Sequence, residues 1–369
     1  MSNYKLPRLF GSIRTVVLLS HVERRFLSPQ YSLKFVSLFL CSCVLLFVFG
    51  CQPMTPERQQ LQGRTMGTTY NIAYYPAQDT PNSSVVQAAI DKRLLEVNQI
   101  ASTYIDDSEL SLLNRHSTAD YFPISDDLRV LLAESMRIAE LTDGALDVTV
   151  GPLVNLWGFG PDKRPNKVPS AQLIADTRAR VGIDKLTLEQ MGASKAHPEL
   201  YVDLSTIAKG YGVDEVAAVL ASFGIENYLV EIGGELLVKG KKANGQNWRV
   251  AIEKPVSQQQ AVQKVIEPLN NAVATSGDYR NYYEFDGVRY SHIIEPHSGK
   301  PITHKLVLVT VLHPSCMTAD GLATGFLVMG LAQGLALANQ HGIAALFIEK
   351  QADGSFKETY SEAMKPYLP

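Results

Sequence analysis

The chain has 369 residues, 46% of them apolar and 19% charged, a globular composition with ample material for a core. A formal net charge of −3, with no basic stripe interleaved with aromatics, gives no reason to expect nucleic-acid binding. Three of the four cysteines (Cys41, Cys43, Cys51) fall in or beside an apolar N-terminal run; Cys316 stands alone in the body, which excludes a disulfide framework and a multi-cysteine zinc site.

Arg24, Arg25 and Lys34 precede an apolar run over residues 35–50, and no charge follows until Glu57. The run is shorter than the roughly 20 residues of a membrane span and fits the apolar region of an export signal. It closes on Val48-Phe49-Gly50-Cys51, which resembles a bacterial lipobox, with Phe49 bulkier than the residue usual at that position. Cys51 is therefore expected to carry lipid and to anchor the body, residues 51–369, to a membrane on its periplasmic side. Residues 1–50 form the extension and signal, and 1–34 are longer than an ordinary charged leader.

The body opens with QGRTMGTTYNIAY (62–74), a turn at Met66-Gly67 followed by a β-type run. Residues 85–100 repeat apolar positions at helical spacing. In STYIDDSELSLLNRH, Asp107 or Ser108 can cap a short helix over 109–114, and Tyr104 stands in the loop where it could stack on a planar ligand. A capped helix over 125–141 leads to ALDVTVGPLVNLWGFGP (145–161), apolar and glycine-rich, with Asp147 its only charge. Pro169-Ser170 opens another helix, and a hairpin-like segment then leads to residue 203.

YVDLSTIAKGYGVDEVAAVL (201–220) reads as a short strand, then Ser205 and Thr206 as N-cap residue types, then an apolar helix. A helix start after a strand carries unpaired N–H groups and a partial positive charge, which suits a phosphate; Lys209 and Gly210 strengthen that reading, although this is not a P-loop. Downstream, TADGLATGFLVMG (318–330) sets Asp320 and Thr324 four apart, on one face of a second apolar helix. A carboxylate and a hydroxyl are hard oxygen ligands of the kind that hold Mg²⁺ beside substrate phosphates. Each helix is followed by a similar segment, GIENYLVE (224–231) and GIAALFIE (342–349), so the body is expected to hold two related helix–strand halves. Between them, His292 follows a strand and can serve as a general base near neutral pH. No nucleophile elbow or dinucleotide fingerprint is present.

In their order, TMGT (65–68), STYxxxSELSxLN (102–114), the 145–161 block, DLSTIAKGYGVD (203–214), EIGGELLVKG (231–240), ATSGDY (274–279), SHIIEPHSGKP (291–301) and TADGLAT (318–324) resemble the ApbE family of exported FAD:protein FMN transferases. The resemblance implies a mixed α/β (α+β) single domain of two interleaved halves, T-fold-like. It implies FAD as substrate, bound with Mg²⁺, and FMN passed to a threonine hydroxyl of an acceptor protein, an exported subunit of a sodium-pumping or electron-transferring redox complex. By the same resemblance Asp320, Thr324 and the carbonyl of Ala208 hold the metal. Met66, Tyr104, Ala145, Leu146, Asp147, Ser205, Lys209, Tyr211 and Ile294 contact FAD, and His292 is the base. Many relatives carry Gly-Gly where this chain has Ser205-Thr206. An FAD pyrophosphatase yielding FMN and AMP, and a non-enzymatic flavin-binding lipoprotein, are the alternatives.

Overall fold

The computed structural model describes residues 56–368 apart from 119, 161–167, 191, 257–260, 280–281 and 287. The export signal, Cys51, Pro161 and Gly287 lie outside the described residues. In chain order, β1 (Gln59–Thr65) and β2 (Thr68–Tyr75) lead to helices α1 (Ser83–Ala101) and α2 (Glu109–Arg115). A small β3 (Phe122–Pro123), α3 (Asp126–Leu141), α4 (Gly151–Leu156), α5 (Ala171–Arg178), β4 (Leu186–Glu189) and β5 (Gly192–Lys195) follow. Then come α6 (Ala208–Ser222), the hairpin β6 (Asn227–Ile232) and β7 (Glu235–Lys239), and a second hairpin, β8 (Val250–Glu253) and β9 (Val262–Ile266). The last part holds β10 (Ala272–Gly277), β11 (Tyr282–Phe285), β12 (Val288–Ser291), β13 (Ile294–Glu295), β14 (Lys300–Pro301), β15 (Leu306–His313), α7 (Cys316–Gln340), β16 (Ala344–Lys350) and β17 (Phe356–Tyr360).

Helix starts follow local chemistry. The side chains of Asn82, Ser108, Ser125, Ser170 and Ser315 accept N–H groups in the first turns of α1, α2, α3, α5 and α7. Helix α6 departs from the sequence expectation: it begins at Ala208, Ile207 occupies the cap position, and neither Ser205 nor Thr206 caps it. Ala208 N–H turns back to the Leu204 carbonyl, and Gly210 N–H is met by a carboxylate of another helix.

Eight strands form one antiparallel sheet in the order β1-β2-β6-β7-β10-β15-β16-β17. The order resolves the predicted halves. One is β1-β2, helix α6, β6-β7; the other is β10-β15, helix α7, β16-β17. The similar GI segments have a shared cause. Gly224 and Gly342 end their helices at φ +70° and +63°, and the next residue, Ile225 or Ile343, donates back into the last helical turn. That left-handed position costs an L-residue about 1–2 kcal/mol, so glycine recurs.

Helices α6 and α7 pack on one sheet face and on each other, and α1 packs on α6. The opposite face is covered by β8-β9, Trp248 and the C-terminal turn around Met364. β10 shows the division, since Ala272 and Ala274 belong to the helix side and Val273 to the other. At the middle of the sheet the strand pairing between the halves, among the described residues, covers two residue pairs, Leu237 with Ala272 and Leu236 with Val273, with Val238 N–H also donating to the Asn271 carbonyl. Beyond them β7 and β10 part, while β10 stays paired with β15 through Gly277.

Candidate active site

The parting of β7 and β10 opens a cavity of about 360 Å³. Its walls hold Glu235 from β7, Thr275, Ser276 and Gly277 from β10, Lys209 from α6, and Asp320 and Thr324 from α7. Ala145, Leu146, Asp147, His292 and Ile294 close the other side. A second cavity, of about 550 Å³, is lined by Met66, Tyr104, Ala208 and the end of α1. The two share Asp203, Ser205 and Lys209 as a common wall.

That wall is clamped from two sides. The Asn114 side chain pairs with Val202 as a strand would: its Nδ2 donates to the Val202 carbonyl and its Oδ1 accepts the Val202 N–H, both at 2.8 Å. The run at 201–202 is thus held by an amide side chain and joins no strand. Asp203 N–H donates to the Val148 carbonyl at 2.7 Å, and Asp203 Oδ1 accepts Ser205 N–H at 2.9 Å. Asn114 is fixed in turn by Lys195, 2% exposed, whose ammonium donates to the Asn114 and Pro198 carbonyls.

The chemistry concentrates where α6 and α7 cross. Gly210 N–H, one of the uncapped donors of α6, donates to Asp320 Oδ2 at 3.1 Å. Glycine is required there, since a Cβ at 210 would stand 2.4 Å from the Cys316 carbonyl oxygen. In return Asp214 of α6 accepts Cys316 N–H, Met317 N–H and the Ser315 hydroxyl, capping α7. Each helix start is therefore met by a carboxylate of the other. Lys209 Nζ lies 3.7 Å from Asp320 Oδ2 and 3.6 Å from Glu235 Oε2. Burial and the neighbouring Asp320 push Glu235 up to about 8, against the pull of Lys209. Burial also raises Asp320. Burial would lower the Lys209 ammonium, yet the two carboxylates hold it above the ordinary lysine value.

Two buried atoms here have no hydrogen-bond partner, Glu235 Oε2 and Thr206 Oγ1. With Thr324 Oγ1 and Ser276 Oγ 2.9 Å apart, the cluster offers hard oxygens of two carboxylates and several hydroxyls. Ionising both carboxyls beside one ammonium would leave a deficit of positive charge. These residues fit a small divalent cation of the Mg²⁺ type with phosphate beside it.

Met66 sits in the two-residue β1-β2 turn at φ +48°, a strained position for a methionine, and reaches against Gly212 of α6. Tyr104 is 83% exposed on the rim. The Asp147 carboxylate accepts the Thr149 N–H and hydroxyl and the Ile183 N–H; burial nonetheless holds it above the usual range. Ala208 lines the second cavity, across Lys209 from Asp320. Tyr211 lines neither. It lies buried under α6, its hydroxyl donating to Asp127 and accepting from Arg93. His292 stands at the end of β12 with Phe159 edge-on at 6.3 Å between centroids, beside a stack of Phe159, Tyr283, Tyr290 and Trp157.

Residue-by-residue reasoning passed over Glu235, Ser276 and Asp203. Glu235 had a signal: it follows Gly233-Gly234 in phase with buried Leu237, an acid on the inward side of an apolar strand.

The pattern that defines the ApbE family matches residues 66–347. A Vibrio cholerae protein named FAD:protein FMN transferase is 55% identical over 324 residues, 88% of this chain and 96% of its own. A Haemophilus influenzae protein of the same name is 45% identical over 339 residues, 90% of this chain and 97% of its own. The solved structure of the flavin transferase ApbE from Vibrio cholerae superposes with a TM-score of 0.79 at 54% identity, covering 85% of this chain and all of that one. The fold and its two-lobed site are those of an enzyme. The chain belongs to the ApbE family.

Proposed function

We propose that the chain, a flavin transferase, moves FMN from FAD to a threonine hydroxyl of an acceptor protein with the help of Mg²⁺, releasing AMP. The observation that carries this reading is the pair of cavities sharing the wall of Asp203, Ser205 and Lys209. They give room for an extended dinucleotide with its pyrophosphate at the uncapped start of α6.

In this reading the Lys209 ammonium and backbone N–H, at the positive end of α6, and the Thr206 hydroxyl hold the pyrophosphate. Asp320, Thr324 and the Ala208 carbonyl would hold Mg²⁺, which when bound neutralises charge on the transferring phosphoryl group. His292 takes the proton from the threonine hydroxyl as its oxygen attacks the FMN-side phosphorus. The bond from that phosphorus to the bridging oxygen breaks, and AMP leaves with the oxygen. Met66, Tyr104, Ala145, Leu146, Asp147, Ser205 and Ile294 shape the two lobes around the substrate. Export and lipid attachment at Cys51 would put the reaction on the periplasmic side of a membrane, with exported subunits of redox complexes as acceptors.

Mass spectrometry tests this on the chain incubated with FAD, Mg²⁺ and a threonine-containing acceptor domain. One added FMN on the acceptor with AMP released supports it; free FMN and AMP beside an unmodified acceptor would make water the acceptor instead. His292→Ala should retain FAD binding while transfer falls by about 10²–10⁴-fold. Unchanged transfer would remove His292 as the base.

A further inference from the structure

Glu235 is 5% exposed, and its Oε2 has no hydrogen-bond partner. Burying a carboxylate without full partners costs several kcal/mol, so its place needs a reason. The tight turn before it supplies the means. Gly233 and Gly234 take φ +60° and +107°, Glu235 pairs with Ile232, and the turn lies against Lys209 and Thr68. A carboxylate is thereby delivered to the mouth of the parted strands, opposite Asp320.

Both acids converge on one nitrogen, Lys209 Nζ, at 3.6 and 3.7 Å. These separations are those of ion pairs without close hydrogen bonds; a single ammonium bridges two acids and leaves the Glu235 oxygen unsatisfied. With both acids ionised, the local charge beside Lys209 alone would be −1, which burial opposes by holding Glu235 and Asp320 above their usual range. A dication makes it +1, the sign that receives a pyrophosphate.

We propose that Glu235 is a second carboxylate ligand of the divalent cation, joining Asp320 across the gap between the two halves. The inference rests on the cation site of the proposed function and adds one ligand to it. Lys209 then turns from bridging the two acids to facing the phosphates.

The test is Mn²⁺ binding to the purified chain without FAD, read by electron paramagnetic resonance of the free ion; Mn²⁺ takes the same oxygen ligands as Mg²⁺. Glu235→Gln should weaken Mn²⁺ binding by about tenfold or more, with Glu235→Asp in between. The metal-free Gln variant should melt no lower than the parent, because it removes a poorly partnered charge. A parent that binds Mn²⁺ and a Gln variant within about twofold of it would overturn this ligand alone, leaving Glu235 as a counter-ion of Lys209. A parent that binds no Mn²⁺ would overturn the cation site itself. A lower melting point in the metal-free Gln variant with unchanged Mn²⁺ affinity would assign Glu235 a purely structural role.

Discussion

The two halves of the sheet carry the same parts and use them differently. Each has a helix bearing a carboxylate near its start, Asp214 in α6 and Asp320 in α7, and each carboxylate meets the opposite helix. Asp214 accepts two N–H groups and a hydroxyl, which leaves it nothing to offer a ligand. Asp320 accepts one N–H, pairs loosely with Lys209 at 3.7 Å, and lines the same cavity with it. The difference comes from the caps. α7 has its Ser315 cap and a trans carboxylate, whereas α6 has no side-chain cap and opens on a cavity. One half holds the crossing; the other works at it.

The sharpest way to break this division is to exchange its carboxylates. Asp320→Asn should leave the fold intact and cut Mg²⁺-dependent turnover by about 10²–10³-fold; full activity in a metal-titrated assay would sink the cation assignment. Asp214→Ala should do the reverse first, lowering unfolding free energy by about 3 kcal/mol in urea titration while FAD still binds to the folded fraction. If stability were untouched, the trans cap would be ornamental. Gly210→Ala brings a Cβ against the Cys316 carbonyl, so the helices must move apart at a cost of about 1–3 kcal/mol, seen as a lower melting temperature.

The smallest effect is a pH dependence. Burial lowers His313, with Ser315 and Glu134 pulling the other way and Arg137 and Asp214 also nearby. His313 Nδ1 accepts Ser315 N–H at the start of α7. A depressed folded value means the unfolded chain binds the proton more readily. Stability is thus full above the ordinary histidine value of 6.5 and falls as pH drops through the folded value, by at most about 1.4 kcal/mol per pH unit. His313→Asn should flatten that slope in melts across the range; an unchanged slope would place the effect on other groups.

Much of this was legible in the sequence, for stated reasons. Capped helices with regular apolar spacing, such as α1, α3 and α7, declare themselves because their signals are local. The glycine-isoleucine segments gave away the two halves because both glycines answer the same backbone demand. What could not be read was anything set by crossing. Ser205 and Thr206 have cap chemistry, yet Asp203 takes the Ser205 N–H and α6 starts later. Tyr211 shares a motif with Lys209, but two residues along the helix, about 200° around it, carry its side chain to the other face, to Arg93 and Asp127. Glu235 and Ser276 become neighbours of Lys209 and Thr324 only when two distant strands part.

The narrow seam between β7 and β10 has a consequence for the molecule as a whole. Glu235 and Lys209 belong to one half, and Ser276, Asp320 and Thr324 to the other. A cation or nucleotide held among them acts as a rivet across the two residue pairs of the seam. By mass action, such a ligand stabilises the folded chain by about 2.7 kcal/mol at a hundred times its dissociation constant. Ligand and architecture close the same joint.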